Sequence, residues 1–206
     1  MIVACVKVKP NYGPEYVNRL AAMVLRHTTL PYRFLCLTDN PKGVQCDCAP
    51  IGTDAPGWWA KLILFKPHPA LAGQRVLFLD LDTVIVGNMD PLLAYQGDFA
   101  ILRDFYRPTG YGSGIMGLAP GAAPQVWSNF IRKANGSGVM AEHYGDQWWI
   151  ETQVPTADRW QDVCPGLIGS YKADKMADSP KGFAVCCFHG LPKPEHVNGW
   201  VAREWR

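Results

Sequence analysis

Two aspartates one residue apart, Asp80 and Asp82, close an apolar run in this chain of 206 residues. Residues 75–79, Arg-Val-Leu-Phe-Leu, have the composition of a strand buried on both faces. Side chains at i and i+2 of a strand point the same way, so both carboxylates are expected on one side where the strand ends. Such a pair is costly unless something positive sits beside it. A hard divalent cation, Mg²⁺ or Mn²⁺, meets that need through carboxylate oxygens. The plainer alternative is a solvated acidic pair capping the strand. Gly145-Asp146-Gln147 and His189-Gly190 with Lys193 make two further polar clusters, each expected at a strand end. Glycine frees the backbone for close approach and lysine supplies a compact charge, as a phosphate-handling turn requires. A metal held by the two carboxylates and an imidazole, with a lysine nearby, would seat a diphosphate and stabilise the charge that develops if it departs.

The elements that must position these residues read as an α/β domain. Residues 2–8 are a Val-rich strand, and 9–14 a turn. Residues 15–27 carry Tyr16, Leu20, Met23 and Val24 at helical spacing, and 33–37 form a second strand. This Rossmann-like strand–helix–strand start predicts a mostly parallel central sheet flanked by helices. Ligands of such sheets collect at the carboxyl ends of the strands, where Asp80 and Asp82 fall. A weaker strand is predicted over 44–51. A helix over 58–65 carries Lys61 and stops at Pro67-His68-Pro69. After the acidic pair come a short strand at 84–86, a helical turn at 90–93 and a strand at 99–102. A glycine-rich strand at 111–117, an amphipathic helix at 124–134 and a short aromatic segment at 148–151 follow. Residues 163–171 read as loop and irregular strand, and 183–188 as the last buried strand. No repeat or linker interrupts the chain, so residues 1–206 are expected to form one domain.

Hydrophobic residues at 48% and charged residues at 18% describe an ordinary soluble globular protein. A formal charge of +2 argues against nucleic acid and acidic membranes as partners, and no run is long enough for a transmembrane helix. The eight tryptophans suit both core packing and platforms for planar or sugar rings. The seven cysteines are odd in number and several fall in predicted buried strands. Cys46, Cys48, Cys186 and Cys187 lack the usual spacing of a zinc site. Residues 1–9 have neither the basic region nor the cleavage site of a leader, so reduced thiols in a cytoplasm are expected.

Taken in order, these segments resemble the glycogenin-like, family-eight glycosyltransferases of the GT-A fold. WWAKLILF followed by VLFLDLDTVIVGNMDPLL is similar to that family's lysine-bearing helix, D-x-D strand and following loop. YGSGIMGL resembles its N-S-G strand, YGDQWWIE its D-Q segment, and FHGLPKP its terminal His/Gly/Lys-Pro turn. The resemblance implies a single GT-A-like domain that moves a sugar, with retention, from a nucleotide-sugar donor, most often UDP-linked, to an acceptor the sequence does not reveal. It implies Mn²⁺ or Mg²⁺ on Asp80, Asp82 and His189. Gly190 and Lys193 would hold the diphosphate, Lys61 would reach the donor, and Leu81 would contact it. Cys5, Val6 and Lys7, with Tyr16, would hold the base. Ser113, Asp146 and Gln147 would line the sugar, with Asp146, Gln147 and Lys193 in catalytic positions. The chain departs from the family pattern twice. Its last motif is H-G-x-x-K-P in place of the longer H-x-x-G-x-x-K-P, and the asparagine of N-S-G is Gly112. It also ends soon after the last motif, without the extension that family members often carry.

Two other classes compete. Asp80-Leu81-Asp82-Thr83-Val84 satisfies D-x-D-x-[TV], the nucleophile loop of haloacid-dehalogenase-like phosphatases, with Asp80 as nucleophile and Asp82 as acid/base. That motif usually follows the first strand of its domain, and the His189 turn then has no role. A non-catalytic nucleotide-sugar-binding protein on the same fold is the third reading.

Overall fold

The structure is a computed structural model that describes residues 1–10 and 12–206. Asn11, in the predicted turn, lies outside the described residues. Strand β1 (Ile2–Lys7) enters the centre of a seven-stranded sheet. Helix α1 (Pro14–His27) follows, with Pro14 at its start, Glu15 in the first turn and Arg26 and His27 in the last, the charge order that suits a helix dipole. It lays Tyr16, Val17, Leu20, Met23 and Val24 on the sheet, and full burial of a side chain such as Leu20 contributes about 1.5–3 kcal/mol.

Strands β2 (Arg33–Thr38), β3 (Asp47–Pro50) and β4 (Val76–Leu79) complete the parallel half of the sheet, in the order β3-β2-β1-β4. β3 is shorter than expected because it is a polar edge strand ending on a proline. Beyond β4 the sheet continues through β7 (Tyr111–Leu118) and β6 (Phe99–Arg103) to β8 (Asp158–Arg159), with β7 antiparallel to both its neighbours.

A second sheet holds β5 (Val84–Ile85), β10 (Val185–Cys187) and β9 (Ile168–Ser170), in the order β5-β10-β9. β5 pairs antiparallel with β10, with Val84 opposite Cys186 and Ile85 opposite Val185. Partner numbers in that register sum to 270, so its continuation carries Asp82 to the level of Phe188, next to His189. The jump from β4 to β5 and the exit of β10 thus bring the acidic pair and the terminal turn together from far apart in sequence.

The helix expected over 58–65 is a 3₁₀-helix, Gly57–Phe65. Trp59 to Phe65 are all buried, so no polar face sets a 3.6-residue period, and prolines at 56 and 67 bracket the segment. With three residues per turn, Trp58 and Lys61 lie on one line, and both reach the cleft described below. Helix α2 (Gln125–Arg132) stops short of the predicted end, with Ala134 and Asn135 in the left-handed region beyond it. Helix α3 (Asp146–Gln153) extends the short aromatic segment at both ends. One core lies under α1, β5, β10 and the terminal helix Trp200–Glu204; the other lies under the 3₁₀ segment, α2 and α3. No helix among the described residues is long and apolar enough to cross a membrane.

Candidate active site

A cleft of about 570 Å³ lies where β1 and β4 end. β4 stops at Leu79, and Asp80-Leu81-Asp82-Thr83 is a turn fixed by Asp80 N–H donating to Gly114 O at 2.8 Å and Thr83 N–H to Asp80 O at 3.1 Å. The acidic pair therefore does not share a strand face, as the two-residue spacing suggested. Each carboxylate has its own lysine.

Lys61 Nζ donates to Asp80 Oδ1 at 2.7 Å and Oδ2 at 2.9 Å, and lies 3.9 Å from Asp146 Oδ2. Burial works against the Lys61 charge, but Asp80 and Asp146 outweigh it and raise its pKa. Asp80 is pushed up to about 6 by withdrawal from water, against the pull of Lys61, with Asp82 and Asp146 adding to the rise. On the other side of the cleft, Lys193 Nζ donates to Asp82 Oδ2 and, at 3.0 Å, to Tyr12 Oη, which itself donates to Asp82 at 3.2 Å. His189 Nε2 is 2.7 Å from Ser170 Oγ, and its ring stacks on Phe105 with centroids 6.0 Å apart. Burial and the nearby Lys172 lower the His189 pKa, so the ring is neutral at pH 7 and keeps a lone pair to offer.

Two carboxylates and a neutral imidazole in one cleft have the right chemistry for Mn²⁺ or Mg²⁺. They are engaged elsewhere: among the described residues no three His, Cys, Asp or Glu side chains converge closely enough to hold a metal ion. A cation at Asp82 would take the position that the Lys193 ammonium holds. All seven cysteines are free.

Most of the residues singled out from sequence meet here. Val6, Tyr16, Lys61, Asp80, Leu81, Asp82, Ser113, Asp146, Gln147, His189, Gly190 and Lys193 all line the cleft. Cys5 and Lys7 do not. Alternation along β1 turns Val6 and Val8 toward the cleft, while Cys5 faces the core under α1 and is fully buried. Asp146 opens a helix, and does not end a strand as expected. It is 4% exposed, and its Oδ2 makes no hydrogen bond among the described residues. The shortened terminal motif still turns Lys193 inward, with 23% of its side chain exposed. A side pocket of about 220 Å³ shares Asp80, Ser113, Gln147 and His189 with the cleft, and Gly112 lies on its lining where the family pattern has an asparagine.

Sequence reasoning missed Tyr12, Trp58, Asp104, Ser170 and Glu195. Tyr12 had a signal, an aromatic residue beside Gly13-Pro14 just past the first strand. Trp58 lies three residues before Lys61, a spacing that puts the two together only in a 3₁₀-helix. Asp104 accepts from Gln147 Nε2 at 3.4 Å through a pairing of distant segments, which no local pattern announces.

No protein-family model and no curated protein sequence matches the chain. Solved structures do. The chain superposes on the glycosyltransferase GlyE of Streptococcus pneumoniae TIGR4 with a TM-score of 0.69 at 13% identity, covering 99% of this chain and 58% of GlyE. The galactosyltransferase LgtC, solved with donor and acceptor sugar analogues, gives 0.68 at 15% identity over 100% of this chain and 94% of LgtC. The fold is the GT-A fold. The bifunctional glycosyltransferase WbbM shares it with a TM-score of 0.64 at 14% identity, over 93% of this chain and 46% of WbbM. In this GT-A fold the cleft occupies the carboxyl end of the parallel strands, where open α/β sheets bind ligands.

Proposed function

We propose that the protein is a divalent-cation-dependent glycosyltransferase that moves a sugar, with retention, from a UDP-linked donor to an acceptor. The observation that carries the reading is the meeting of Asp80, Asp82, His189, Lys193 and Lys61 in one cleft of a GT-A fold. Asp80, Asp82 and His189 would hold Mn²⁺ or Mg²⁺ once Lys193 leaves Asp82, and the cation would supply charge neutralisation for the donor diphosphate. Lys193, released from Asp82, donates N–H bonds to the departing diphosphate, and Gly190 gives it close backbone approach. Lys61 keeps Asp80 ionised and reaches toward the donor. Val6, Leu81, Tyr12 and Tyr16 receive the nucleoside.

Ser113, Asp146 and Gln147 line the sugar, and the unpartnered Asp146 oxygen is a buried acceptor that a sugar hydroxyl satisfies. We read residues 1–206 as one catalytic domain working in a reducing, cytoplasmic setting, in keeping with the free thiols. A phosphatase built on Asp80 is the weaker reading, because it gives the His189 turn no role in the cleft and the similar solved structures are glycosyltransferases.

Calorimetry of UDP with Mn²⁺ and then with excess chelator tests the proposal. Binding that weakens at least about tenfold without the metal is expected. Equal affinity in both conditions removes the metal from the proposal, and no binding in either removes the UDP donor.

A further inference from the structure

Four carboxylates line the cleft: Asp80, Asp82, Asp146 and Glu195. Lys61 serves Asp80 and Asp146, and Lys193 serves Asp82. Among the described residues no lysine or arginine pairs with Glu195; the nearest cation-forming group is the ring of His196, whose Nε2 is 3.9 Å from Glu195 Oε1. Glu195 instead accepts the hydroxyl proton of Tyr16. The contacts then form a chain. Tyr16 meets the Tyr12 ring edge-on at 4.6 Å, and Tyr12 touches both Lys193 and Asp82. One end of this chain of contacts is charged and suited to phosphates; the other is two tyrosines with Val6 and Val8 beside them, closed by a single carboxylate.

Glu195 is held firmly for an exposed acid. It lies in the 3₁₀ turn Pro194–His196, where Lys193 N–H donates to His196 Nδ1 at 3.2 Å and His196 N–H to Lys193 O at 2.9 Å. Tyr16 is fixed in turn by Trp205, edge-on at 5.0 Å, with the Arg19 guanidinium 4.1 Å over the Trp205 ring. An acceptor at the end of an aromatic platform, two residues from the phosphate lysine, is placed to read the edge of a base.

We infer that Glu195 selects the base of the donor by accepting the imide N3–H of uracil, which disfavours cytosine, whose N3 is a lone pair. The inference rests on the proposed nucleotide-sugar reading. Tyr16 positions the carboxylate, and its hydroxyl occupies one oxygen, leaving the other for the single imide proton. A carboxylate facing the cytosine N3 meets lone pair with lone pair, and a site built for a hydrogen bond rejects a ligand that lacks the donor.

The test is calorimetry of UDP and CDP, with Mn²⁺, on the wild-type protein and on Glu195→Gln. A hydrogen bond to a charged acceptor predicts wild-type preference for UDP of about tenfold or more. The glutamine amide can donate to cytosine N3, so the preference should collapse to within about threefold, with CDP binding improved in absolute terms. A UDP/CDP ratio that is unchanged in Glu195→Gln overturns the role of Glu195 while leaving the UDP-dependent reading intact. Failure of the wild-type protein to bind either nucleotide overturns both.

Discussion

Lys61 holds both carboxylate oxygens of Asp80, at 2.7 and 2.9 Å, with Asp146 a further 3.9 Å contact of the same ammonium. The lysine side chain is 6% exposed, so its charge is stabilised by these acids and hardly by water. Removing it by Lys61→Met leaves Asp80 and Asp146 facing each other without a cation. We expect a loss of about 1–3 kcal/mol in urea denaturation, below the range for a fully buried pair because Asp80 keeps 35% of its side chain exposed. Adding Asp80→Asn should restore part of that loss.

Lys193 occupies Asp82 where a cation is proposed to bind. Lys193→Ala should therefore tighten Mn²⁺ binding measured alone, because the competing ammonium is gone. The same change should lower turnover by more than it weakens donor binding, since the proposed role of the lysine is to meet charge that develops as the diphosphate leaves. Titration of Mn²⁺ by calorimetry checks the first effect, and donor kinetics check the second. Weaker Mn²⁺ binding in the variant contradicts this arrangement.

Tyr12 probes the proposed nucleoside pocket with less disturbance of the core than Tyr16, which is 7% exposed and packs on Trp205. Stacking of a base on an aromatic ring is worth about 1–3 kcal/mol, so Tyr12→Ala should weaken UDP binding by roughly tenfold or more. Calorimetry with saturating Mn²⁺ measures this, and unchanged affinity places the base elsewhere.

Asp90 ties the end of α1 to the segment that follows the acidic turn. It accepts from the Thr28 hydroxyl, from Thr29 N–H at 2.9 Å and from the Thr29 hydroxyl at 2.6 Å. These hydrogen bonds hold its pKa down to about 2. A carboxylate depressed by folding stabilises above its unfolded value and loses that contribution as pH falls through the folded one. Between about pH 4 and pH 2 the wild-type protein should therefore lose stability that Asp90→Asn never had. Denaturation midpoints that fall in parallel for both proteins across that window contradict the clamp.

The sequence made β1, α1, β2 and the acidic stretch readable because each follows a local period: apolar strand residues, helical spacing, then two acids at the strand end. The glycine-rich β7 and the last strand were readable for the same reason. What it hid depends on contacts between distant segments. Cys5 and Val6 look equivalent in sequence, and only the pairing of β1 with both β2 and β4, and the side of the sheet taken by α1, decides which one meets the cleft. Glu195 was hidden because its partner, Tyr16, lies 179 residues away. The lysine partners of the two aspartates could not be assigned either, since the split of Asp80 to Lys61 and Asp82 to Lys193 follows from the turn after β4.

If the protein transfers a sugar from a nucleotide donor, it releases nucleoside diphosphate, and that release can be followed. The wild-type protein and Asp82→Asn would each be incubated with Mn²⁺ and a panel of nucleotide sugars, and free diphosphate followed by chromatography. The wild-type protein is expected to release diphosphate from one or a few UDP-sugars, and Asp82→Asn to lose that release while still folded, as its thermal melt would show. Tight UDP binding with no release from any donor on the panel, in the presence of simple sugars as acceptors, would contradict sugar transfer and leave a nucleotide-sugar-binding protein on a GT-A fold.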